Sequence, residues 1–214
     1  MTEVQRHGLD FEKWVRDSFF SQYVGVQGQE WDVPAENNCH PKVPEAFRGI
    51  PVSIKSKKFK NSIELGDILR QRAIDCTFLM IVGFWQQRTP REKWIVDIGV
   101  CLFKPSAWNS LWGSLKLSQI RQIDAVVKDS SSHYSVRRER AQTWKRTTPE
   151  VQSSSIVVNP KIDSKRQRRI QCSLPFSVFW QHVGREAQQS DAPSLFSLPF
   201  PNPLLSEPRK FKRK

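Results

Sequence analysis

Thr77-Phe78-Leu79-Met80-Ile81-Val82-Gly83-Phe84-Trp85 is a near-continuous apolar run of strand length. A strand that is apolar at consecutive positions has both faces covered, so this run is predicted to be the central strand of a sheet with layers on either side. Upstream, Ile50 to Ser56 is predicted as a neighbouring strand. Strand side chains alternate, so Val52 and Ile54 turn to the core while Ser53 and Lys55 share the other face. Downstream, Lys93 to Phe103 is a third strand. Glu30-Trp31-Asp32-Val33 reads as a short strand stopped by Pro34, and Pro41, Pro44 and Gly49 punctuate the following loop.

Helical spacing brackets these strands. Phe11, Trp14, Val15 and Phe19 form one stripe of a helix over Leu9 to Phe20 that Asp10 can cap, and Glu12 falls at the stripe's edge. Ser62 to Ala73 is predicted as a helix with Ser62 as N-cap, weakened by Gly66. Ser106 to about Lys128 is helical by its Trp108, Leu111, Trp112 and Leu115, and Pro175 opens a short helix, FSVFWQHV. The expected fold is α/β, a mixed central sheet flanked by helices. Residues 1–185 form the expected single domain, with a core at about 9–103 and a basic part at about 127–185. Residues 186–214, rich in Pro, Ser and Gln and ending in Arg209-Lys210-Phe211-Lys212-Arg213-Lys214, are expected to be a mobile tail.

Thirty-four Lys and Arg against twenty-one Asp and Glu give a net charge of +13, which favours a polyanionic partner. Between 127 and 172 eleven Lys or Arg face four acids, so about half of the surplus is concentrated there. Cys39, Cys76, Cys101 and Cys172 lie far apart with no C-x-x-C pair, which indicates neither a disulfide framework nor a structural zinc site. The N-terminus lacks the pattern of a secretory signal and no run is long enough to span a membrane, so the expectation is a cytoplasmic protein with reduced thiols and no membrane partner.

Asp32 and Lys55 supply two requirements of phosphodiester hydrolysis. A carboxylate holds a hard divalent cation through oxygen, and an ammonium positions an attacking water and neutralises the scissile phosphate. Arginine binds guanine bidentately and glutamine suits adenine, so Arg166, Gln167, Arg168, Arg169 and Gln171, with Lys161 and Lys165 in the same basic segment, are candidate DNA contacts. On a regular strand Gln167, Arg169 and Gln171 share one face and Arg168 and Ile170 the other, so only one set can meet a groove. Lys57 and Lys58 extend the positive edge beyond Lys55.

Asp32 with Ser53-Ile54-Lys55 on an adjoining strand and Glu12 on the preceding helix resembles the PD-(D/E)XK nuclease superfamily. The compact chain and its basic segment look like a type II restriction endonuclease. Trp31 stands where that pattern has Pro, and Ser53 where it has its second acid. Some members with Ser at that place draw the missing acid from the helix that follows, where this chain offers Glu64 or Asp67; Glu36 and Glu45 rank lower. The resemblance implies a Mg2+-dependent, sequence-specific endonuclease of double-stranded DNA. In it Asp32 and either Asp67 or Glu64 hold the metal, Lys55 holds the attacking water, and Glu12 supports a second ion. A palindromic target implies a homodimer. Two other readings remain open: a non-catalytic basic DNA-binding protein, and a repair or recombination nuclease that recognises DNA structure.

Overall fold

The structure, a computed structural model, describes residues 3–20, 23–25, 29–164 and 167–205, with residues 3–9 and 205 as backbone alone. In chain order the elements are helix α1 (Glu3–Phe19), strands β1 (Val52–Lys58) and β2 (Ile63–Asp67), helix α2 (Ile68–Arg72), and strands β3 (Phe78–Thr89) and β4 (Glu92–Phe103). Helices α3 (Pro105–Ser110), α4 (Leu117–Lys128), α5 (Tyr134–Thr147) and α6 (Pro149–Ser153) follow. Strands β5 (Val157–Ile162) and β6 (Arg168–Leu174), helix α7 (Phe176–Val183) and the short strands β7 (Ser194–Leu195), β8 (Leu198–Pro199) and β9 (Leu204–Leu205) complete the chain. The architecture is α/β, with a mixed parallel and antiparallel central sheet flanked by helices.

Two compact units share the chain. The first comprises residues 1–61, 77–103 and 180–214, and the second residues 62–76 and 104–179. The expected catalytic core of 9–103 is therefore divided, with 62–76 belonging to the second unit.

In the first unit the sheet order is β1-β3-β4-β9, with β1 parallel to β3 and the other pairs antiparallel. The apolar run behaves as its composition predicts: every residue from Phe78 to Phe84 is buried, between β1 and β4. α1 buries Phe11, Val15 and Phe19 in the same core as Val52, Ile54, Leu79 and Ile81. The helix can lie this close because Gly83 has no side chain; a Cβ there would sit 2.6 Å from the Phe11 ring. Such an overlap forces displacement of a packed aromatic ring.

Residues 186–205 are not a free tail. Leu195 and Phe200 are core residues, Phe200 packs on Trp14 at 4.8 Å between ring centroids, and Phe196 meets Phe19 edge-on at 5.3 Å. Asn202 clasps the backbone of β4, its Oδ1 accepting from Ile95 N at 2.9 Å and its Nδ2 donating to Ile95 O at 2.7 Å. Upstream, buried Asp97 accepts from Arg185 Nη2 at 2.7 Å and from Gln188 N at 2.7 Å. Frequent Pro and Ser suppress long strands in this segment, but apolar residues at 195, 196, 198 and 200 still bury. The final residues 206–214, which include the basic run, lie outside the described part of the chain.

In the second unit β2, β6 and β5 form an antiparallel sheet. Val158, Ile162, Ile170, Cys172 and Leu174 are buried, α4 packs against β6, and α5 packs against β5 and α4. Trp108 and Trp112 are fully buried and Trp108 Nε1 donates to Gln71 O at 2.9 Å.

Several local expectations are corrected. Residues 62–73 are not one helix. Ile63 and Leu65 are buried around exposed Glu64, a period of two, and Gly66 at φ +96° forms a bulge before the short α2 begins. The helix expected over 106–128 breaks at Gly113, whose φ of +56° ends α3 and its following turn. Glu30–Val33 makes a single antiparallel bridge, Val33 to Val52, instead of a strand. Asn159 to Ile162, at the start of the basic segment, are paired in β5. α5 was not anticipated, because its buried positions are Arg137 and Ala141 and offer no apolar stripe.

All four cysteines are free thiols. Among the described residues no helix is long and apolar enough to cross a membrane.

Candidate functional site

The Val33–Val52 bridge fixes the geometry of the first unit's acidic centre. Val33 N donates to Val52 O at 3.1 Å and Val52 N to Val33 O at 2.8 Å, which ties the segment bearing Asp32 to the outer edge of β1. Val52 and Ile54 are two apart, so their N–H groups leave the strand on the same side. The first meets Val33 and the second meets Asp32: Ile54 N donates to Asp32 Oδ2 at 2.6 Å. Lys55 Nζ reaches the same oxygen at 2.8 Å, and Ser53 Oγ lies 3.4 Å from it. Lys55 Nζ also donates to Ile54 O at 3.1 Å. All of these donors converge on Oδ2, and among the described residues Oδ1 accepts none.

Asp32 and Lys55 are each between a fifth and a third exposed, with side-chain values of 29% and 23%. An ion pair at that depth is partly desolvated but open to a ligand. Its contribution to stability is modest, about 1 kcal/mol or less after solvent screening.

Glu12 of α1 joins this pair electrostatically. Its carboxyl titrates above the ordinary glutamate range, first because of burial and next because of the Asp32 charge, while Arg16 and Lys55 pull in the opposite direction. Arg16 Nη1 lies 3.6 Å from Glu12 Oε1, one helical turn away. A partly buried carboxyl whose proton affinity is raised by a neighbouring carboxylate marks a place where a cation is favoured. The donor set fits Mg2+, which commonly takes one or two carboxylates and keeps several waters. Asp32 Oδ1 and the Glu12 carboxylate would hold it, and bound there it would polarise a phosphoryl oxygen and acidify water. Among the described residues no group of three or more His, Cys, Asp or Glu side chains is gathered at metal-binding range.

Glu64 and Asp67 are in the second unit, on β2, where the register pairs them with Ser173 and Gln171 across the bulge. Both acids thus fall on one face of that sheet, through a strand irregularity instead of the helical turn expected. Asp67 Oδ1 also caps α2 by accepting from Arg70 N at 3.0 Å. Lys57 and Lys58 continue β1 beside Phe84 and Trp85.

Lys161 and Arg169 are directly opposite each other on β5 and β6, both exposed, and Asn159 opposes Gln171 one step along the same face. Ile170 is buried, which selects the Arg169 and Gln171 set as the outward one. Arg168 is exposed at the strand end, and Gln167 N donates to Asp163 Oδ1 at 2.9 Å. Lys165 and Arg166 lie outside the described residues.

Three contributors were missed from the sequence. Arg16 carried a usable signal, its i, i+4 spacing from Glu12. Ser53 carried one as well, its strand alternation with Lys55, while the Ile54 amide carried none, since backbone direction is set by the Val33 bridge. Compared with known proteins, the chain matches no family model, no curated protein and no solved structure.

Proposed function

We propose that the protein is a Mg2+-dependent endonuclease of double-stranded DNA, of the site-specific type II class, with a restriction-endonuclease-like first unit. One observation carries the reading: the Asp32 carboxylate receives Lys55 Nζ at 2.8 Å on one oxygen while the other oxygen accepts no donor among the described residues, with Glu12 electrostatically coupled to both residues. That arrangement suits a centre in which a carboxylate holds a cation and an amine holds water.

Lys55 is the residue assigned to the attacking water. Its ammonium donates hydrogen bonds and offsets the charge that develops on the phosphate, so its assigned role is to position water and stabilise charge. Asp32 is oriented by Ile54 N and Lys55 Nζ, which hold one oxygen and leave the other for the ion. Glu12, partly buried, supplies the second carboxylate, with Arg16 restraining it from the next turn. The expected products carry 5′-phosphates, formed by water displacing the 3′ oxygen.

The positive balance of the chain and the exposed Lys161 and Arg169 support a duplex as substrate. Like charges directly opposite on neighbouring strands repel, and a polyanion relieves that repulsion. A palindromic target would be read by a homodimer.

The test is incubation of purified protein with a long DNA of known sequence in Mg2+, with the fragment ends sequenced. Discrete fragments with constant ends support the reading. An intact substrate that is nevertheless bound turns the assignment to a binding protein, and cutting confined to branched or damaged DNA turns it to a structure-specific nuclease.

A further inference from the structure

The helix that sequence periodicity did not anticipate carries an unused surface. α5, Tyr134–Thr147, contains five Lys or Arg against one Glu. Arg138, Gln142 and Arg146 follow one another at intervals of four, so they form a single stripe, and all three are exposed. Arg137 and Ala141, on another side of the helix, are the buried positions, and Arg137 Nη1 donates to Val127 O at 3.2 Å. The inner side is thereby occupied by the unit's own core. Among the described residues the stripe's side chains make no hydrogen bond or ion pair.

A helix this polar is ordinarily held by pairs of opposite charge at i, i+4. This stripe instead places two guanidinium groups and an amide in a row with no acid within α5 at the spacing that would neutralise them. From the structure we infer that α5 enters the major groove of duplex DNA, with Arg138, Gln142 and Arg146 directed at the bases and phosphates. The inference rests on the duplex-DNA reading above and adds a surface to it.

The dimensions agree. A fourteen-residue helix is about 21 Å long and about 10–12 Å across, and the major groove of B-DNA is about 12 Å wide. Arginine and glutamine are the side chains whose donor and acceptor patterns match guanine and adenine edges there. The contact is also separate from the Lys161 and Arg169 face. α5 packs against β5 and α4, while Lys161 and Arg169 stand on β5 and β6, so the two basic sets belong to different elements of the second unit.

The experiment measures binding of a 30-base-pair duplex over a range of salt concentrations, without divalent cation. Four proteins are compared: wild type, Arg138→Ala/Gln142→Ala/Arg146→Ala, Lys161→Ala/Arg169→Ala, and the combination. Circular dichroism melting confirms that each is folded. The α5 variant is expected to bind about tenfold or more weakly, with the slope of log affinity against log salt reduced by about 1.8 for its two arginines. A second duplex, its cytosines replaced by glucosylated hydroxymethylcytosine to fill the major groove, is expected to lose a similar factor with wild type and little further with the α5 variant. Wild type that binds while the folded α5 variant binds equally overturns this inference alone. Equal binding of the groove-filled duplex overturns the groove placement. If wild type binds no duplex at any salt, the nuclease reading falls and this inference with it.

Discussion

The two units differ in the charges they present, although the second also pairs buried Asp124 with Lys128. The first gathers opposite charges and holds them with backbone: Asp32 is fixed by an amide and an ammonium, Asp97 by a guanidinium and an amide, and Glu12 by Arg16. The second leaves like charges on its surface, with Lys161 opposing Arg169 on the sheet and Arg138 and Arg146 lined up on α5. Neutralised charge at a partly buried site suits chemistry that needs fixed geometry, while unneutralised charge at the surface suits capture of a polyanion. On the proposed reading, the difference separates reaction from grip, so that each can be removed without the other.

The largest effect should come from the centre of the first unit. Asp32→Ala and Lys55→Ala are each expected to lower cleavage at least about a thousandfold while duplex binding stays within a few-fold, measured by a cleavage time course beside a binding titration. A near-normal rate in either variant breaks the proposed division of labour. Arg185→Ala probes the same habit of pairing away from the site. It leaves Asp97, whose side chain is 5% exposed, with only the Gln188 amide as charge partner, and should destabilise the protein by about 3 kcal/mol in denaturant unfolding. Stability equal to wild type would mean that the clasp of residues 185–188 adds nothing.

Gly83→Ala is expected to lower stability by about 1–3 kcal/mol and to reduce cleavage too, because displacing Phe11 moves the turn of α1 that carries Glu12. If stability falls and activity does not, Glu12 is not in the site. Asp67→Ala should cost about 1 kcal/mol, the loss of an N-cap, in thermal unfolding.

The smallest effect carries a sign. Glu12 titrates above its ordinary range, so the folded state binds its proton more tightly than the unfolded chain does. Stability from this group therefore falls as pH rises from the ordinary glutamate value to the raised one, and stays lower beyond it. Glu12→Gln should raise the melting temperature at pH 7 in EDTA and leave it little changed below the ordinary value. Added Mg2+ should then stabilise wild type more than the variant. The reverse order at pH 7 would remove Glu12 from the cation site.

Where one physical signal dominated, the sequence was readable. Seven consecutive buried residues from Phe78 to Phe84 admit only a covered strand, and FSVFWQHV becomes α7 as expected. Alternation along Val52 to Lys55 put Lys55 off the core side, where Asp32 meets it. The failures share a cause, which is tertiary context overriding local pattern. α5 buries an arginine and an alanine, β2 hides its period of two behind a bulge, and residues 195–200 bury aromatics within a Pro-rich stretch. Within the site, the Ile54 amide was invisible because no side chain announces which way a backbone N–H points.

Trp14 and Phe19 of α1 are packed by Phe200 and Phe196, rings borne nearly two hundred residues later. Chains emerge from the ribosome N-terminus first. α1 therefore lacks part of its packing surface until residues 196–200 have been made, and Glu12 gains its final setting only then. On the proposed reading, a chain not yet extended through those residues does not cleave DNA, because the helix that carries Glu12 is not yet fully packed.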